Sequence, residues 1–301
     1  MSEPPKTTAG KASPPVPGPQ PVAAGLHLVA TPIGNLRDIT LRALDTLHAA
    51  DRIYAEDTRV ARKLLDAYGV SAKPRPCHDH NEDRVTPEIL AALEAGETVA
   101  LVSDAGTPLV SDPGFRLARA ALEAGHRVHS LPGACAPIAA LTISGLPSDT
   151  FLFDGFPPSK TAARKKRFEV LRTVPATLVF FESAQRLAAS LSDMAKVFGS
   201  RPAAVARELT KKFEEVRRGT LDDLAAHYDA EGPPRGEIVV LCGPPEAGSL
   251  DWGEADVDAA LAEAVPALGV KGASQAVAGV SGWSKRDLYA RAQALKDSGT
   301  P

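Results

Sequence analysis

The sequence has few cysteines, no long apolar segment and neither of two common glycine-rich nucleotide-binding motifs. Its three cysteines, Cys77, Cys135 and Cys242, are widely spaced and form no motif of paired cysteines, which is typical of a protein in a reducing cytoplasm. No apolar run approaches the ~20 residues of a membrane span, and we expect no signal peptide because the first residues lack a continuous apolar core. The absence of GxGxxG and GxxxxGK[ST] disfavours a Rossmann-type dinucleotide fold and a P-loop nucleotide hydrolase.

Length and charge bound the class of protein further. With 301 residues, 44% hydrophobic and 24% charged, the chain can form two domains with substantial cores. A formal net charge of −3 argues against a globally basic nucleic-acid-binding surface but leaves room for a local basic face. Residues 1–24 are rich in Pro, Ala, Gly and Ser, and we interpret them as a disordered tail.

The most informative stretch is residues 99–114, which read VALVSDAGTPLVSDPG. The first four residues predict a strand buried on both faces of a parallel sheet. The small polar loop at 103–108 follows it, at the end of the strand where α/β sheets bind ligands. In the second Ser-Asp pair we expect Asp112 to cap the next helix and Pro113 to take its first position. The plain alternative is that both Ser-Asp segments are only turns.

Two other predicted strands end in Pro-Gly turns. Residues 26–30 lead into Pro32 and Gly34, and residues 126–131 lead into Pro-Gly before a helix at 138–144. Backbone amides at such a strand-to-helix turn can bind a ligand. The first half of the chain therefore predicts an α/β sheet whose ligand side carries several tight turns.

Two polar segments of the first half carry the side chains for chemistry. A strand predicted at 52–55 ends in Glu-Asp-Thr-Arg at 56–59, and residues 77–82 read CHDHNE. The cysteine and histidines are too closely spaced for a standard zinc set, so we expect no metal. The His, Asp and Asn side chains of this segment can instead hydrogen-bond a ribose or accept a proton, although a surface loop is the plain alternative. We expect the following helix to start at Thr86-Pro87 and to end near Gly96.

The second half begins after a boundary at residues 146–150. Strands are predicted at 151–153, 177–181, 203–207 and 236–243, with another at 213–218 beside the third. Between the first two lies a basic run with only one acid, Glu169. Such a run is usually a solvated helix face, but here it is the best candidate for contacts with a nucleic-acid backbone. Its basic residues are Lys160, Arg164, Lys165, Lys166, Arg167 and Arg172.

After a linker at 243–249, three short helices are predicted at 256–265, 269–278 and 284–295. The last two, joined by a Ser-Gly-Trp-Ser turn, resemble a helix-turn-helix. A helical hairpin that packs in a dimer is the alternative. Four basic side chains would suit nucleic acid, namely Lys271, Lys285, Arg286 and Arg291.

These residues together resemble a known family. VATPIGNLRDITLRAL, AEDTR, HDHNE, ALVSDAGTPLVSDPGFRL, LPG, SGLPSDTFLFDGF, ARELTKKFEEVRRGTL and GEIVVL occur in the family's order. The sequence is similar to the small-subunit (16S) ribosomal RNA cytidine 2′-O-methyltransferases of the tetrapyrrole (corrin/porphyrin) methylase superfamily. The likeness covers residues 26–243 and extends to the tail. It departs at Ala134-Cys135, where the family has Pro-Ser, and at residues 183–186, where Ser-Ala-Gln-Arg replaces Ser-Pro-His-Arg.

The resemblance implies an α/β fold of two domains with an S-adenosylmethionine cleft between them, at 25–147 and 148–245. A small helical unit follows at 250–297. It also implies a cytoplasmic enzyme, usually a homodimer, that methylates the ribose 2′-oxygen of a cytidine in small-subunit ribosomal RNA. We expect the RNA to be bound within the assembled subunit.

The resemblance also implies roles for individual residues. The cofactor is expected at the strand ends, bound by Pro32, Gly34, Asp104, Gly106, Thr107, Pro108, Gly133, Ala134, Glu182, Leu209 and Leu241. A ribose hydroxyl needs a base or a nearby cation, and the candidates are Asp57, Arg59, His80 and Glu82. RNA contacts are expected from Lys160, Arg164, Lys165, Lys166 and Arg167.

Two other functions stay open from the sequence. A methylase of tetrapyrroles or other small molecules would share the fold, but it would not need the basic run or the helical tail. A non-catalytic ribosome-assembly or RNA-binding protein would not need the SDAGTP and LPG loops. Cofactor binding separates the second alternative from the enzymes.

Overall fold

The computed structural model describes residues 18, 20–246 and 252–298. Most of the tail predicted at 1–24 and residues 247–249 of the predicted linker lie outside the described residues. The chain divides into two compact units. Unit 1 comprises the described part of Met1–Thr31 together with Ile39–Gly133, and unit 2 comprises Pro32–Asp38 with the described part of Ala134–Pro301.

Unit 1 is built on a sheet of five parallel strands in the order β3-β2-β4-β1-β5. The strands are β1 Gly25–Val29, β2 Arg52–Ala55, β3 Arg75–Pro76, β4 Thr98–Val102 and β5 Val128–Leu131. Its helices are α1 Leu41–Ala49, α2 Thr58–Ala67, α3 Glu82–Glu94 and α4 Phe115–Glu123. Every residue of the central β4 is buried, as predicted from its apolar run. Because the strands are parallel, all their carboxyl ends lie at one edge.

Alternate residues of these strands enter two cores, one on each face of the sheet. Leu26, Val99 and Leu101 pack with side chains of α3 and α4, while Val29, Ala100 and Val102 pack with those of α1 and α2. The start of α1 follows its sequence, because the side chain of Thr40 accepts a hydrogen bond from the amide of Ala43.

Two helix starts in unit 1 differ from the prediction. Helix α3 begins at Glu82 rather than at Thr86, so Pro87 lies inside it. Helix α4 begins at Phe115, after Gly114 with φ 111°, so neither Asp112 nor Pro113 has the predicted capping role. The reason is a long-range contact: Oε1 of Glu82 accepts a hydrogen bond from the amide of Leu117 (2.8 Å) and thus satisfies the first turn of α4.

Unit 2 contains a mixed sheet in the order β6-β7-β10-β8-β9. The strands are β6 Phe151–Phe153, β7 Thr177–Glu182, β8 Pro202–Arg207, β9 Glu215–Thr220 and β10 Ile238–Cys242. β6 is parallel to β7, whereas β10 is antiparallel to β7 and β8, and β9 is antiparallel to β8. The carboxyl ends of β6, β7 and β8 consequently share one edge. The helices are α5 Ala136–Ser144, α6 Thr161–Leu171, α7 Leu187–Phe198 and α8 Leu221–Glu231.

Helix α5 belongs to unit 2. Its residues Ala140 and Leu141 are buried against Val179, Ala204 and Leu241 on one face of the sheet. Helices α6, α7 and α8 cover the opposite face. The division between the units therefore falls at Gly133 and Ala134, whereas the sequence analysis placed a domain boundary after residue 147.

The remaining described residues form helices α9 Glu254–Ser281 and α10 Lys285–Asp297. Gly269, with φ 66°, divides α9 into two helical segments, and Ser284 caps α10 by accepting a hydrogen bond from the amide of Asp287. These helices share a core that includes Leu261, Val277 and Leu288. None of the helices in the described ranges is long and apolar enough to cross a membrane.

Candidate functional site

In unit 1 the polar loop after β4 is fixed to the end of β1. Thr31 and Gly106 each donate a backbone hydrogen bond to the other's carbonyl, at 2.8 and 3.0 Å. The hydroxyl of Ser103 donates to the carbonyl of Gly106 (2.6 Å), and that of Thr31 donates to the carbonyl of Ser103 (3.1 Å). Gly106 has φ 85°, a value that glycine adopts without strain. The loop that holds Asp104, Thr107 and Gly106 is thus a preformed structure.

The continuation of this loop is strained. Leu109 and Ser111 have φ of 72° and 65°, in the left-handed region that side chains other than glycine rarely adopt. Such residues cost about 1–3 kcal/mol each and occur most often at functional sites. The strain ends at Gly114, where α4 begins.

Carboxylates gather at the adjacent ends of β2 and β4. Oδ1 of Asp104 accepts a hydrogen bond from the amide of Asp57 (2.9 Å), which joins the two strand ends. Burial, together with the charges of Glu56 and Asp104, raises the pKa of Asp112 to about 7. Partial burial, Asp104 and Asp79 also raise the pKa of Glu56. Unit 1 therefore holds one carboxyl group, Asp112, that can exchange a proton near neutral pH, and a second, Glu56, whose pKa is shifted in the same direction.

Two of the predicted catalytic residues, Asp57 and Arg59, form a pair with each other. Asp57 caps α2 by accepting a hydrogen bond from the amide of Arg59, and its Oδ2 lies 2.6 Å from Nη2 of the same arginine. These contacts lower the pKa of the Asp57 carboxyl, first through the Arg59 side chain, which makes it a weak base. The Arg59 side chain is 87% exposed and is accessible to an anionic ligand.

The other two predicted catalytic residues differ from each other. Glu82 is buried, and its oxygens accept hydrogen bonds from the Leu117 amide and from Nε of Arg116 (3.1 Å). It therefore joins α3 to α4 and is removed from the catalytic candidates. His80 is exposed beside His78, with ring centroids 6.0 Å apart, and remains available. In the described part of the chain, no group of three or more His, Cys, Asp or Glu residues could hold a metal ion.

In unit 2, Gly34 lies against the loop between β8 and β9. A Cβ at Gly34 would be 2.8 Å from Oγ1 of Thr210 and 2.9 Å from the carbonyl oxygen of Leu209, so no larger residue fits. The amide of Asn35 donates to Oγ1 of Thr210 (3.0 Å). In this loop Glu208 and Thr210 have φ of 51° and 65°, so Leu209 lies between two strained residues. Pro32, half-buried, precedes this contact.

The turn at the end of β5 is also closely packed. A Cβ on Gly133 would lie 2.7 Å from Cβ of Ala30, so only glycine fits there. Ala134, the next residue, packs against the core formed by α5 and the sheet of unit 2. Pro108, in the loop after β4, is buried. These positions have the small or rigid residues that a close backbone approach requires.

Glu182 and Leu241 fit a cofactor role less well. The Glu182 side chain is fully buried at the end of β7, where Oε1 accepts from the amide of Ser183 (2.7 Å) and lies 3.0 Å from Nη2 of Arg186. Its Oε2 has no hydrogen-bond partner among the described residues, so it can accept one further bond. Leu241 is buried in the middle of β10, which pairs on both sides, so its side chain supports the sheet rather than a ligand.

Residues 25–225 match the family described as Tetrapyrrole (Corrin/Porphyrin) Methylases, and residues 252–296 match the RsmI C-terminal HTH domain. The chain belongs to the tetrapyrrole methylase family. This confirms the resemblance inferred from the sequence motifs.

Curated relatives match this chain over nearly their whole length. The protein named ribosomal RNA small subunit methyltransferase I of Mesorhizobium japonicum is 53% identical, over 93% of this chain and 95% of the relative. Proteins of the same name from Escherichia coli O157:H7 and Halalkalibacterium halodurans are 44% and 42% identical, each over 88% of this chain and 93% of the relative.

Solved structures of two other methyltransferases share the fold. Uroporphyrin-III-C-methyltransferase from Thermus thermophilus has a TM-score of 0.53 at 24% identity, over 72% of this chain and 93% of that chain. Cobalt precorrin-4 methyltransferase, a cobalamin biosynthetic enzyme, has a TM-score of 0.56 at 18% identity, over 72% and 94%. The predicted α/β fold is confirmed.

The basic helix α6 is less available to RNA than its sequence predicts. Arg164 is buried, with Nε donating to Oδ2 of Asp193 (2.9 Å), so it is not an RNA contact. Arg167 donates to Asp154 through Nε (2.9 Å), and Nζ of Lys165 lies 3.7 Å from Oδ1 of Asp193. Lys160 and Lys166 are exposed and remain available.

Sequence reasoning missed four features. Asp112 was interpreted as a helix cap, and Glu56 was not singled out, although its place directly after a buried strand is the same signal that identified Asp104. The strained residues at 208 and 210 carry no sequence signal, because neither is a glycine. The exposed ring of Phe156, in the segment after β6, was also overlooked.

Proposed function

We propose that this chain is an S-adenosylmethionine-dependent methyltransferase that methylates the 2′-oxygen of a cytidine ribose in small-subunit (16S) ribosomal RNA. The observation that carries the proposal is the set of relatives, 42–53% identical over most of both chains, that are named as small-subunit ribosomal RNA methyltransferases. The match of residues 252–296 to the C-terminal HTH domain supports the same assignment.

The residues at the strand ends fit an S-adenosylmethionine ligand. Gly34 and Gly133 stand where a Cβ would collide, and Asp104 offers carboxylate oxygens to an amine or a ribose. The cofactor supplies a methyl group already activated on a sulfonium, so the chain's task is orientation. We assign this task in unit 1 to Asp104, Gly106, Thr107, Pro108 and Gly133, and in unit 2 to Pro32, Gly34, Ala134 and Leu209.

The ribose hydroxyl becomes a good nucleophile only when its proton is removed. Asp112 and Glu56 are the carboxylates of unit 1 whose pKa values are raised, and they join His80 as candidates for the proton acceptor. Asp57 is the weaker candidate because Arg59 stabilises its ionised form. Arg59 is assigned to charge stabilisation at the same strand end.

Contacts with the RNA are assigned to exposed basic side chains. On and beside α6 these are Lys160 and Lys166, and in the C-terminal helices they are Lys271, Lys285 and Arg286. Arg291 is excluded because it pairs with Asp258 (2.6 Å). The proposal includes a homodimer in the cytoplasm that acts on the assembled small subunit.

The test is transfer of labelled methyl from S-adenosylmethionine to small ribosomal subunits, to naked RNA and to a tetrapyrrole precursor. We expect label in alkali-resistant dinucleotides from the subunits, because a 2′-O-methyl group blocks alkaline cleavage. Asp104→Ala and Asp104→Asn should lose the label, and Asp229→Ala, which removes an exposed carboxylate from α8, should keep it. Label in the tetrapyrrole precursor would indicate a small-molecule methylase. Failure to bind S-adenosylmethionine would refute the proposal that the protein is a methyltransferase.

A further inference from the structure

The segment after β6, residues 154–160, is held rigidly at both ends; we call it the strap. At its start the ladder with β7 continues, since Asp154 donates to the carbonyl of Val179 (3.0 Å) and Phe181 donates to that of Gly155 (2.9 Å). Arg167 is also paired with Asp154. At the far end, Nη1 of the buried Arg164 donates to the carbonyl of Ser159 (3.3 Å).

The strap displays an aromatic ring. Phe156 is 56% exposed, yet its ring packs against that of Phe181 at 5.3 Å between centroids. Phe181 in turn contacts Phe153 edge to face at 5.0 Å. Two prolines follow Phe156 and restrict the backbone. A large apolar ring is therefore kept in a fixed position while most of one side faces solvent, which favours a binding role over a packing role.

The charge around the strap favours a polyanion. Lys160 ends the strap and Lys166 lies on α6, and both are exposed with no ion pair among the described residues. The arginines of the same run, Arg164 and Arg167, are engaged with Asp193 and Asp154. Phe156 and Lys160 lie in the same segment, the strap. Proteins bind unpaired nucleotides with an exposed aromatic ring and a free cation in one segment, because bases stack on the ring and phosphates pair with the cation.

We infer that the strap is a stacking platform on which Phe156 receives an unpaired base of the RNA substrate, while Lys160 contacts the RNA backbone. Arg164 and Arg167 are positioning residues that hold the strap. This inference rests on the proposed function and adds to it the element of unit 2 that binds the RNA.

The test uses full-length variants with small ribosomal subunits from a strain that lacks this enzyme. Phe156→Leu keeps an apolar contact with Phe181 but removes the ring, and Phe156→Tyr keeps the ring. Because stacking is worth about 1–3 kcal/mol per base, we expect Phe156→Leu to weaken binding of the subunits roughly 5- to 150-fold. Phe156→Tyr should bind like the unaltered protein. Phe151→Ala, which removes a 41% exposed ring from β6, the strand that precedes the strap, should also have no effect.

A second measurement separates this inference from the proposed function. Tryptophan fluorescence of Phe156→Trp, compared with Phe156→Leu to subtract Trp252 and Trp283, should be quenched by a single-stranded cytidine-containing oligonucleotide. If the unaltered protein transfers no methyl group to subunits, the proposed function fails, while the quenching still decides the role of the strap.

Three results would overturn the inference. The first is that Phe156→Leu binds subunits as tightly as the unaltered protein, and the second is that the oligonucleotide does not quench the fluorescence of Phe156→Trp. The third is that Phe156→Leu no longer forms a dimer on size-exclusion chromatography but still binds RNA. The last result would assign the ring to contact with a second copy of the chain. Affinity for S-adenosylmethionine, measured by calorimetry, should be the same in all variants.

Discussion

Replacing Arg164 should destabilise unit 2 without a direct effect on RNA contacts. The side chains of Arg164 and Asp193 are only 4% and 6% exposed, and Nε of the arginine donates to Oδ2 of the aspartate at 2.9 Å. Arg164→Met leaves the carboxylate of Asp193 buried without its main partner. Breaking a buried pair in this way costs about 3–5 kcal/mol. Lys165, 3.7 Å from Oδ1 of Asp193, should offset part of this cost, so we expect a value near the lower limit.

A double-mutant cycle isolates the pair from the rest of α6 and α7. Asp193→Leu alone leaves the guanidinium of Arg164 buried, whereas Arg164→Met with Asp193→Leu leaves no buried charge. The double variant should therefore be more stable than the sum of the single variants predicts, by about 2–3 kcal/mol.

Hydrogen exchange measured by mass spectrometry suits a chain of two units, because a single global transition need not describe both. Protection of peptides from β7 and β10 should fall in Arg164→Met and recover in the double variant. Peptides from β4, in unit 1, serve as the internal control and should not change. Unaltered protection in Arg164→Met, or strictly additive losses in the cycle, would refute the role given to this pair.

Two further predictions concern pH. If Asp112 accepts the proton, the rate of methyl transfer should fall as the pH drops below about 7, because the carboxylate becomes protonated. Asp112→Asn should lower the rate about 10²–10⁴-fold and should remove this dependence on pH. A pH profile that is the same in Asp112→Asn as in the unaltered protein would exclude Asp112. His27 is buried, stacks on His129 at 4.5 Å and has a pKa lowered from 6.5, mainly by burial, so its stabilisation is present above pH 6.5 and is lost as the pH falls. The difference in melting temperature between the unaltered protein and His27→Phe should accordingly change as the pH falls below 6.5, and parallel curves would contradict this account.

Local features of the fold could be predicted from the sequence. Helix caps are one example: Thr40 caps α1, Ser284 caps α10, and Thr220 forms a capping box with Asp223 at the start of α8. Each cap requires only a hydroxyl and an amide three residues later, so the information is contained in the segment itself. The apolar run of β4 is another local signal, since a strand buried on both faces has no polar positions.

Features that depend on distant partners could not be predicted. Asp112 and Glu82 are both acidic residues near a helix start. Only the fold shows that the amide of Leu117 donates its hydrogen bond to Glu82, which lies 35 residues earlier in the sequence. Arg164 looks like the lysines beside it until Asp193 is placed opposite on α7. Charge alone does not distinguish an exposed basic residue from a buried one, because the partner's position is set by tertiary packing.

The location of backbone strain supports the assignment of the two candidate loops. The non-glycine residues with positive φ in the described ranges are Leu109, Ser111, Glu208 and Thr210. They form two pairs with a spacing of two, one after β4 in unit 1 and the other after β8 in unit 2. Each pair costs free energy that the cores of its own unit must offset. Strain confined to these loops, which also contain predicted cofactor residues, is expected if their backbone is held for binding rather than optimised for stability.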